Sequence, residues 1–405
     1  MLTAETECQP CLPGYYCDTP GLVYPAGPCD AGYFCTEASN TSNPSVTNGQ
    51  GGPCPLGSFC PEGSSMAQPC SPGSYAPTTQ MANCTVCPAG YYCVAGSSIT
   101  VELTAPSHGV VTPKVCPAGY YCPNNTETDR QFPCPLGTFG NVTGLEDSSQ
   151  CVDCLPGYYC QAEGITEPSG LCNAGYFCVL NQTSPSPSYN SQGGPCPQGT
   201  YCTQGSSMYE FCPKGTYGSA SLLTALSDCT FCPPGEFCDQ PGLSAPNGSC
   251  LAGYYCSNAS EEASPVAKSY GDECPGGYFC PDHSYQPTAC PQGTYQPYLR
   301  RVSNSDCLQC DPGFYCNSTG DTAVAGPCEE GFYCMGGSNS SAPRDGVTGD
   351  ICPAGSYCPQ QSSQHIYCPN GTYTNHSGAA QCYDCPEGHY CINRDRADSC
   401  LPGYY

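Results

Sequence analysis

Residues 307–334 read CLQCDPGFYCNSTGDTAVAGPCEEGFYC, and two seven-residue phrases within that stretch decide the fold: CDPGFYC, from Cys310 to Cys316, and CEEGFYC, from Cys328 to Cys334. Each begins on a cysteine that opens C-x-x-G-x-[Tyr/Phe] and ends on a cysteine that opens nothing. Across 405 residues the 42 cysteines divide into 21 openers and 21 non-openers, which alternate from Cys8 to Cys400 without exception. The simplest pairing joins each opener to the next cysteine. Fifteen pairs are then C-x5-C loops: Cys11 with Cys17, Cys29 with Cys35, Cys54 with Cys60, Cys87 with Cys93, Cys116 with Cys122, Cys154 with Cys160, Cys172 with Cys178, Cys196 with Cys202, Cys232 with Cys238, Cys250 with Cys256, Cys274 with Cys280, Cys310 with Cys316, Cys328 with Cys334, Cys352 with Cys358 and Cys385 with Cys391. Five loops are longer: Cys70 with Cys84, Cys134 with Cys151, Cys212 with Cys229, Cys290 with Cys307 and Cys368 with Cys382. Cys8 then waits for an upstream opener and Cys400 for a downstream closer, which reads as a segment of something longer.

More than one residue in ten is cysteine, the composition of a disulfide scaffold. Disulfides at this density persist in oxidising space, so a secreted or surface-exposed chain is expected. Met1 runs straight into LTAETEC without a signal-peptide pattern, and no run of about 18 apolar residues is present to span a membrane. Gly (48), Pro (44) and Tyr (32) are abundant, Trp is absent, and the aliphatic residues form no helical or strand-length apolar pattern. Chains that bury little apolar surface are held by staples instead. In the chain-entropy model a seven-residue loop contributes about 2.4 kcal/mol and the longer ones about 3 kcal/mol. A formal charge of −25 with nine Lys and Arg lacks the basic footprint that nucleic acid requires.

A second period lies above the first. C-x2-C junctions recur at Cys8, Cys84, Cys151, Cys229, Cys307 and Cys382, at spacings of 76, 67, 78, 78 and 75 residues. They divide the chain into repeat units 1–83, 84–150, 151–228, 229–306 and 307–381, with a partial unit at 382–405. Unit 84–150 lacks one C-x5-C pair, so an opener and a closer are missing together. An interlocked pairing would need rewiring there, although eight cysteines allow 105 connectivities and the sequence leaves them open. Within each motif the glycine supplies φ > 0 for a tight turn, often after a proline that presets φ. The aromatic beside the closer, such as Tyr16, Phe34, Tyr121 or Tyr390, is expected to cover the S–S bond and touch the next loop. The fold class is therefore small disulfide-rich repeats forming an elongated rod or solenoid, with little regular secondary structure, short β-hairpins and no conventional hydrophobic core.

N-glycosylation acceptors of the form N-x-[Ser/Thr] stand at Asn40, Asn124, Asn141, Asn181, Asn247, Asn258, Asn317, Asn339, Asn370 and Asn375, with Asn83 weaker because its middle residue is Cys84. Covalent N-glycans are expected and no cofactor is. The C-x2-C junctions lie too far apart for a zinc ribbon and lack the βαβ context of a redox motif, so they read as places where a closer meets the next opener. No G-x-S-x-G, P-loop or H-E-x-x-H is present, and no enzyme is expected. His108, His283, His365, His376 and His389 have no repeated partner and read as solvent-facing loop residues. Glu261 with Glu262, and Glu329 with Glu330, read as solvated acidic faces without the ligand loop of a calcium site. A second tyrosine often precedes the one beside the closer, as at Tyr15, Tyr91, Tyr120, Tyr158 and Tyr254, and offers either intramodule packing or an outward phenol.

The repeated C-P-x-G-x-[Tyr/Phe] and the C-x2-C junctions resemble the ephrin-receptor-like cysteine-rich repeat, which in appearance is distantly similar to tumour-necrosis-factor-receptor modules. The resemblance runs from Cys8 to Tyr405 and implies an elongated, non-catalytic extracellular module. Long arrays of it are most similar to surface and fibre proteins of protists and algae, including those of mastigonemes, the hairs on flagella. The function it implies is a structural subunit of an extracellular glycoprotein filament, on a cell or flagellar surface, assembling with itself or a companion fibre protein. An adhesion or receptor ectodomain, or a variable surface antigen, is the alternative.

Overall fold

The computed structural model describes residues 8–46, 49–94 and 112–405 and divides into two compact units, Met1–Cys196 with Cys202–Tyr209 and Pro197–Tyr201 with Glu210–Tyr405. Within each unit a single backbone module recurs, set by the C-x-x-G-x-[Tyr/Phe] phrase. The two residues after the motif glycine, or three in the modules at Cys29, Cys172, Cys250 and Cys328, form one strand, and as many residues ahead of the next opener return antiparallel to it. Tyr15–Tyr16 thus pairs with Gly27–Pro28, directly before Cys29, and Phe314–Tyr315 pairs with Gly326–Pro327, directly before Cys328. Nineteen such two-stranded sheets are formed among the described residues, and the bridge between Tyr120 and Pro133 holds the same place in the module at Cys116.

A two-stranded ribbon of this length is not stable alone in water. Neighbouring modules supply what it lacks by absorbing each other's backbone donors. The N–H of each next opener donates to the motif glycine carbonyl, as Cys29 to Gly14 at 2.9 Å and Cys310 to Gly293 at 2.9 Å. The motif glycine N–H donates in turn to the carbonyl of the next closer, as Gly14 to Cys35 at 2.9 Å and Gly313 to Cys334 at 2.8 Å. Where the next module is a short one, the closer N–H reaches a carbonyl four residues beyond the next closer, as Cys17 to Ser39 at 2.9 Å and Cys316 to Ser338 at 2.9 Å.

The five longer loops keep the glycine and opener bonds but move the sulfur, and the preceding closer's bond slips by one residue: Cys60 donates to Met81 O and Cys358 to Ala379 O, five positions past the residue that stands in the closer's place. Six positions after the opener, where a short module places its closer, stand Ala76, Gly140, Gly218, Gln296 and Thr374, all buried. Their carbonyls still accept the preceding glycine N–H, as Gly57 to Ala76 at 3.0 Å and Gly355 to Thr374 at 3.0 Å. The closer itself sits further on, directly before the return strand. That strand is the pair inside each C-x2-C junction: Thr85–Val86, Val152–Asp153, Thr230–Phe231, Leu308–Gln309 and Tyr383–Asp384. The junction spacing of two is therefore the length of a strand. Loops with a separation of 17 also carry a three-residue 3₁₀ turn, Ser148–Gln150, Leu226–Asp228 or Asn304–Asp306, which the two loops with a separation of 14 lack.

The core is sulfur. Of forty buried hydrophobic side chains among the described residues, thirty-five are cysteines, and the others are Ala76, Phe139, Leu145, Phe177 and Ala379. At four places among the described residues the aromatic five positions after an opener packs on the next module's bridge. Tyr75 lies against Cys87–Cys93, Tyr121 against Cys134–Cys151, Phe139 against Cys154–Cys160 and Phe177 against Cys196–Cys202. The expected contact with the next module is thus formed at these four aromatics.

Contact also reaches two modules onward. At Gly73 (φ +82°) an added Cβ would meet the Asn125 carbonyl at 2.7 Å, and at Gly215 (φ +77°) the Ala259 carbonyl at 2.7 Å. A side chain is thus barred at those positions by space as well as by backbone conformation. The residues that present these carbonyls are left-handed themselves, Asn125 at φ 68° and Ala259 at φ 63°.

Candidate functional site

The repeated surface and its covalent staples are what this fold offers for function. Twenty disulfides join each opener to the next cysteine, from Cys11–Cys17 to Cys385–Cys391, with Cα atoms 5.8–6.2 Å apart. That separation suits unstrained bridging. The short loops in the latter half of each four-module unit follow the same rule: Cys54 is bonded to Cys60, Cys196 to Cys202, Cys274 to Cys280 and Cys352 to Cys358. Cys172 is likewise bonded to Cys178. The closers Cys60, Cys178, Cys280 and Cys358 are all sealed from solvent. Cys8 and Cys400 are unpaired. Among the described residues no three His, Cys, Asp or Glu side chains gather as metal ligands, and no helix is long and apolar enough to cross a membrane.

The acceptor asparagines do not share one environment. Asn40, Asn83, Asn124, Asn141, Asn247, Asn258, Asn317, Asn339, Asn370 and Asn375 are exposed, whereas Asn181 is half-buried in a left-handed turn (φ 52°) with its Oδ1 enclosed and unpartnered. The long loops that carry Asn40, Asn181, Asn258 and Asn339 are anchored rather than free. Each tucks a proline inward, Pro44, Pro187, Pro265 or Pro343. Ser42 O lies 3.2 Å from Cys29 Sγ, and Ser341 O lies 3.3 Å from Cys328 Sγ.

The sequence reading missed a set of buried hydroxyls. Four residues past the closer stand Ser39, Ser64, Thr126, Ser260, Ser338 and Ser362, all buried, and each donates locally, as Ser64 to Pro61 O at 2.6 Å and Ser338 to Ser340 O at 2.9 Å. The signal was the recurrence of Ser or Thr at that offset. Each hydroxyl satisfies itself locally while the same residue's carbonyl takes a closer N–H, so at these six residues both groups are paired.

Tyr15, Tyr91 and Tyr158 are exposed, whereas Tyr120 and Tyr254 are half-buried. Tyr120 lies over Gly164, and Arg300 stacks on Tyr254 with its guanidinium carbon 5.4 Å from the ring centroid. The outward phenol is thus a property of some modules only. His283, His376 and His389 are exposed, and His108 lies outside the described residues. His365 departs from the expectation of a free loop residue: it is half-buried, with Tyr333 and Tyr367 edge-on to it at 5.5 and 5.2 Å.

Several acidic side chains serve as turn caps. Asp345 accepts from the Thr348 hydroxyl at 2.7 Å and from the Val347 and Thr348 amides at 2.8 Å each, which holds its carboxyl down at about 2. Asp228 and Asp306 are lowered chiefly by backbone amides, of Thr224 in one case and of Val302 and Ser303 in the other. Glu262 accepts from the Tyr270 hydroxyl and Glu329 from the Ser341 hydroxyl. Two ion pairs are formed among the described residues, Arg300–Glu273 and Arg396–Asp398, both at the surface and of small energetic weight.

No protein-family model matches the chain. Among curated proteins it is similar to cysteine repeat modular protein A of Toxoplasma gondii, at 27% identity over 301 residues covering 64% of this chain and 9% of that protein. It is also similar to the sushi, von Willebrand factor type A, EGF and pentraxin domain-containing protein 1 of Mus musculus, at 25% over 271 residues (67% of this chain, 6% of that protein). Laminin subunit gamma-1 of Homo sapiens aligns at 26% over 252 residues (45% and 14%). The chain spans less than a sixth of the length of each of these relatives. Bridges of this number persist in oxidising space, and together with likenesses to cysteine-repeat and EGF-containing modular proteins they make the chain a disulfide-rich cysteine-repeat protein of the secreted or cell-surface kind.

Proposed function

We propose that the chain is a structural, non-catalytic subunit of an extracellular N-glycosylated filament, of the ephrin-receptor-like repeat type and akin to flagellar hairs. The observation that supports this most is the recurrence of one hydrogen-bonded module in which each copy offers its neighbour the same backbone groups. A contact made by one copy is then available to the next, and a heterologous contact that does not close into a ring propagates as a fibre. Exposed phenols such as Tyr15, Tyr91 and Tyr158 supply adhesive area, and glycans on the exposed acceptors keep other faces soluble. The partner is a further copy or a companion fibre protein. The test is imaging and light scattering of the full chain from a glycosylating secretory host over a rising concentration series. Filaments with an axial repeat support the reading, and monodisperse single chains at every concentration overturn it.

A second reading is favoured by the short share of each relative that the chain matches. Under it the chain is one stretch of a long modular adhesion or receptor ectodomain, or of a surface antigen, and spaces other domains from the membrane. A membrane or lipid anchor encoded in the same gene, with no self-assembly, is the outcome that selects it.

A further inference from the structure

Two acceptor triplets fall in the same register of the module, two to four residues past a closer: Asn124-Asn125-Thr126 after Cys122 and Asn258-Ala259-Ser260 after Cys256. In both, the asparagine is exposed while the hydroxyl residue is sealed, Thr126 at 1% exposure and Ser260 at 0%. Thr126 Oγ1 donates to Pro123 O at 2.6 Å and Ser260 Oγ to Glu262 O at 3.0 Å. Their carbonyls take the N–H of the preceding module's closer, Cys93 at 3.0 Å and Cys238 at 2.9 Å. The middle residues are clamped too: Asn125 N–H donates to Cys87 O and Ala259 N–H to Cys232 O, each at 2.9 Å. By contrast, in Asn141-Val142-Thr143, Asn317-Ser318-Thr319 and Asn375-His376-Ser377 all three residues are exposed.

An acceptor triplet is defined by its hydroxyl as much as by its asparagine. A transferase that reads it must reach both, and folding removes one of the two at Asn124 and Asn258. We propose that these are closing sites, open to glycan addition only until the modules at Cys87–Cys122 and Cys232–Cys256 form, so that their occupancy records how fast the bridges close. The inference rests on the glycoprotein reading above. The donor is a polyprenyl-diphosphate-linked oligosaccharide. The asparagine Nδ2 bonds to the sugar C1 as the C1–O bond to the diphosphate breaks. The diphosphate leaves with the electron pair, and the amide gives up one proton to the transferase.

The test presents the full chain, oxidised and free of glycan, to a purified oligosaccharyltransferase with its lipid-linked donor, in parallel with the same chain reduced and alkylated. Occupancy is read site by site by mass spectrometry after enzymatic deglycosylation in heavy-oxygen water. On the oxidised chain Asn141, Asn317 and Asn375 are expected to be modified at least tenfold faster than Asn124 and Asn258. On the reduced chain that ratio collapses toward one. Equal rates on the oxidised chain overturn the proposal, as does failure of all five sites there while the reduced chain is modified. If the reduced chain also accepts nothing, the glycoprotein reading falls and takes the proposal with it.

Discussion

Reduction under load should release a fixed length of chain in one small class of step and one large. The twenty bridges enclose fifteen separations of 6, two of 14 and three of 17, or 169 chain positions in all. At about 3.4 Å per residue these amount to roughly 570 Å, of which the closed bridges, at about 6 Å each, already span roughly 120 Å. A chain held between optical-trap handles and stretched until its hydrogen bonds have parted should therefore gain roughly 450 Å more when a thiol is added. A short loop gives a step of about 14 Å, and a longer one about 42 or about 52 Å, so three steps in four belong to the small class. The shifted alternative, in which Cys17 joins Cys29 and so on to Cys382 with Cys385, encloses 211 positions over the same span from Cys11 to Cys391. It would free roughly 600 Å in steps of many sizes. A gain near that value, or the absence of a dominant small step, would refute the module described here.

Gly73→Ala should cost about 1–3 kcal/mol, since the new methyl enters a left-handed site against the Asn125 carbonyl. Denaturant unfolding followed by proteolysis near residue 125 reads the effect, and a neutral result would remove the two-module contact from the stabilising set. Phe139→Ala strips a side chain only 6% exposed from the Cys154–Cys160 bridge, at about 3–5 kcal/mol, and should make that bridge the first to be alkylated in dilute reductant. Asp345, held at about 2 by its hydrogen bonds against an unfolded value of about 3.9, contributes stability that is fully present above the unfolded value and lost as pH falls through about 2. Carboxyl chemical shifts across pH 5 to 1.5 should show the low midpoint, and a midpoint near 4 would mean the turn is not formed.

The fold class was legible because its signal is chemical and local. The alternation of openers and closers names the staples, and the motif glycine names the turn. The partner of each two-residue strand was not legible, because the return strand has no composition of its own: Gly27–Pro28, Thr85–Val86 and Tyr383–Asp384 share nothing but their place ahead of an opener. The left-handed positions past a closer, or past the residue that stands in its place in a longer loop, were equally silent. Ala38, Gln80, Leu222, Ala259, His283, Arg300 and Gln361 are not residues that announce φ > 0, and the contacts made by neighbouring modules impose it on them. The displaced closer of the five longer loops hid a backbone that keeps the glycine and opener bonds, because in sequence Ala76 or Thr374 gives no sign of standing where a cysteine stands elsewhere. The eleven acceptor triplets could be found by pattern, but the sealing of Thr126 and Ser260 depends on register against the preceding module and shows only in three dimensions.

Because successive modules hand the same backbone groups to one another, within each unit one joint among the described residues is much like the next. Removing one copy brings together two neighbours that already fit, provided the excision runs from opener to opener. The stretch 84–150, with three modules where its neighbours have four, has that form. For the gene this means that recombination between copies, in register with the openers, yields chains of other lengths that fold by the same rules. Length can then drift from one lineage to the next while each cysteine keeps its mate.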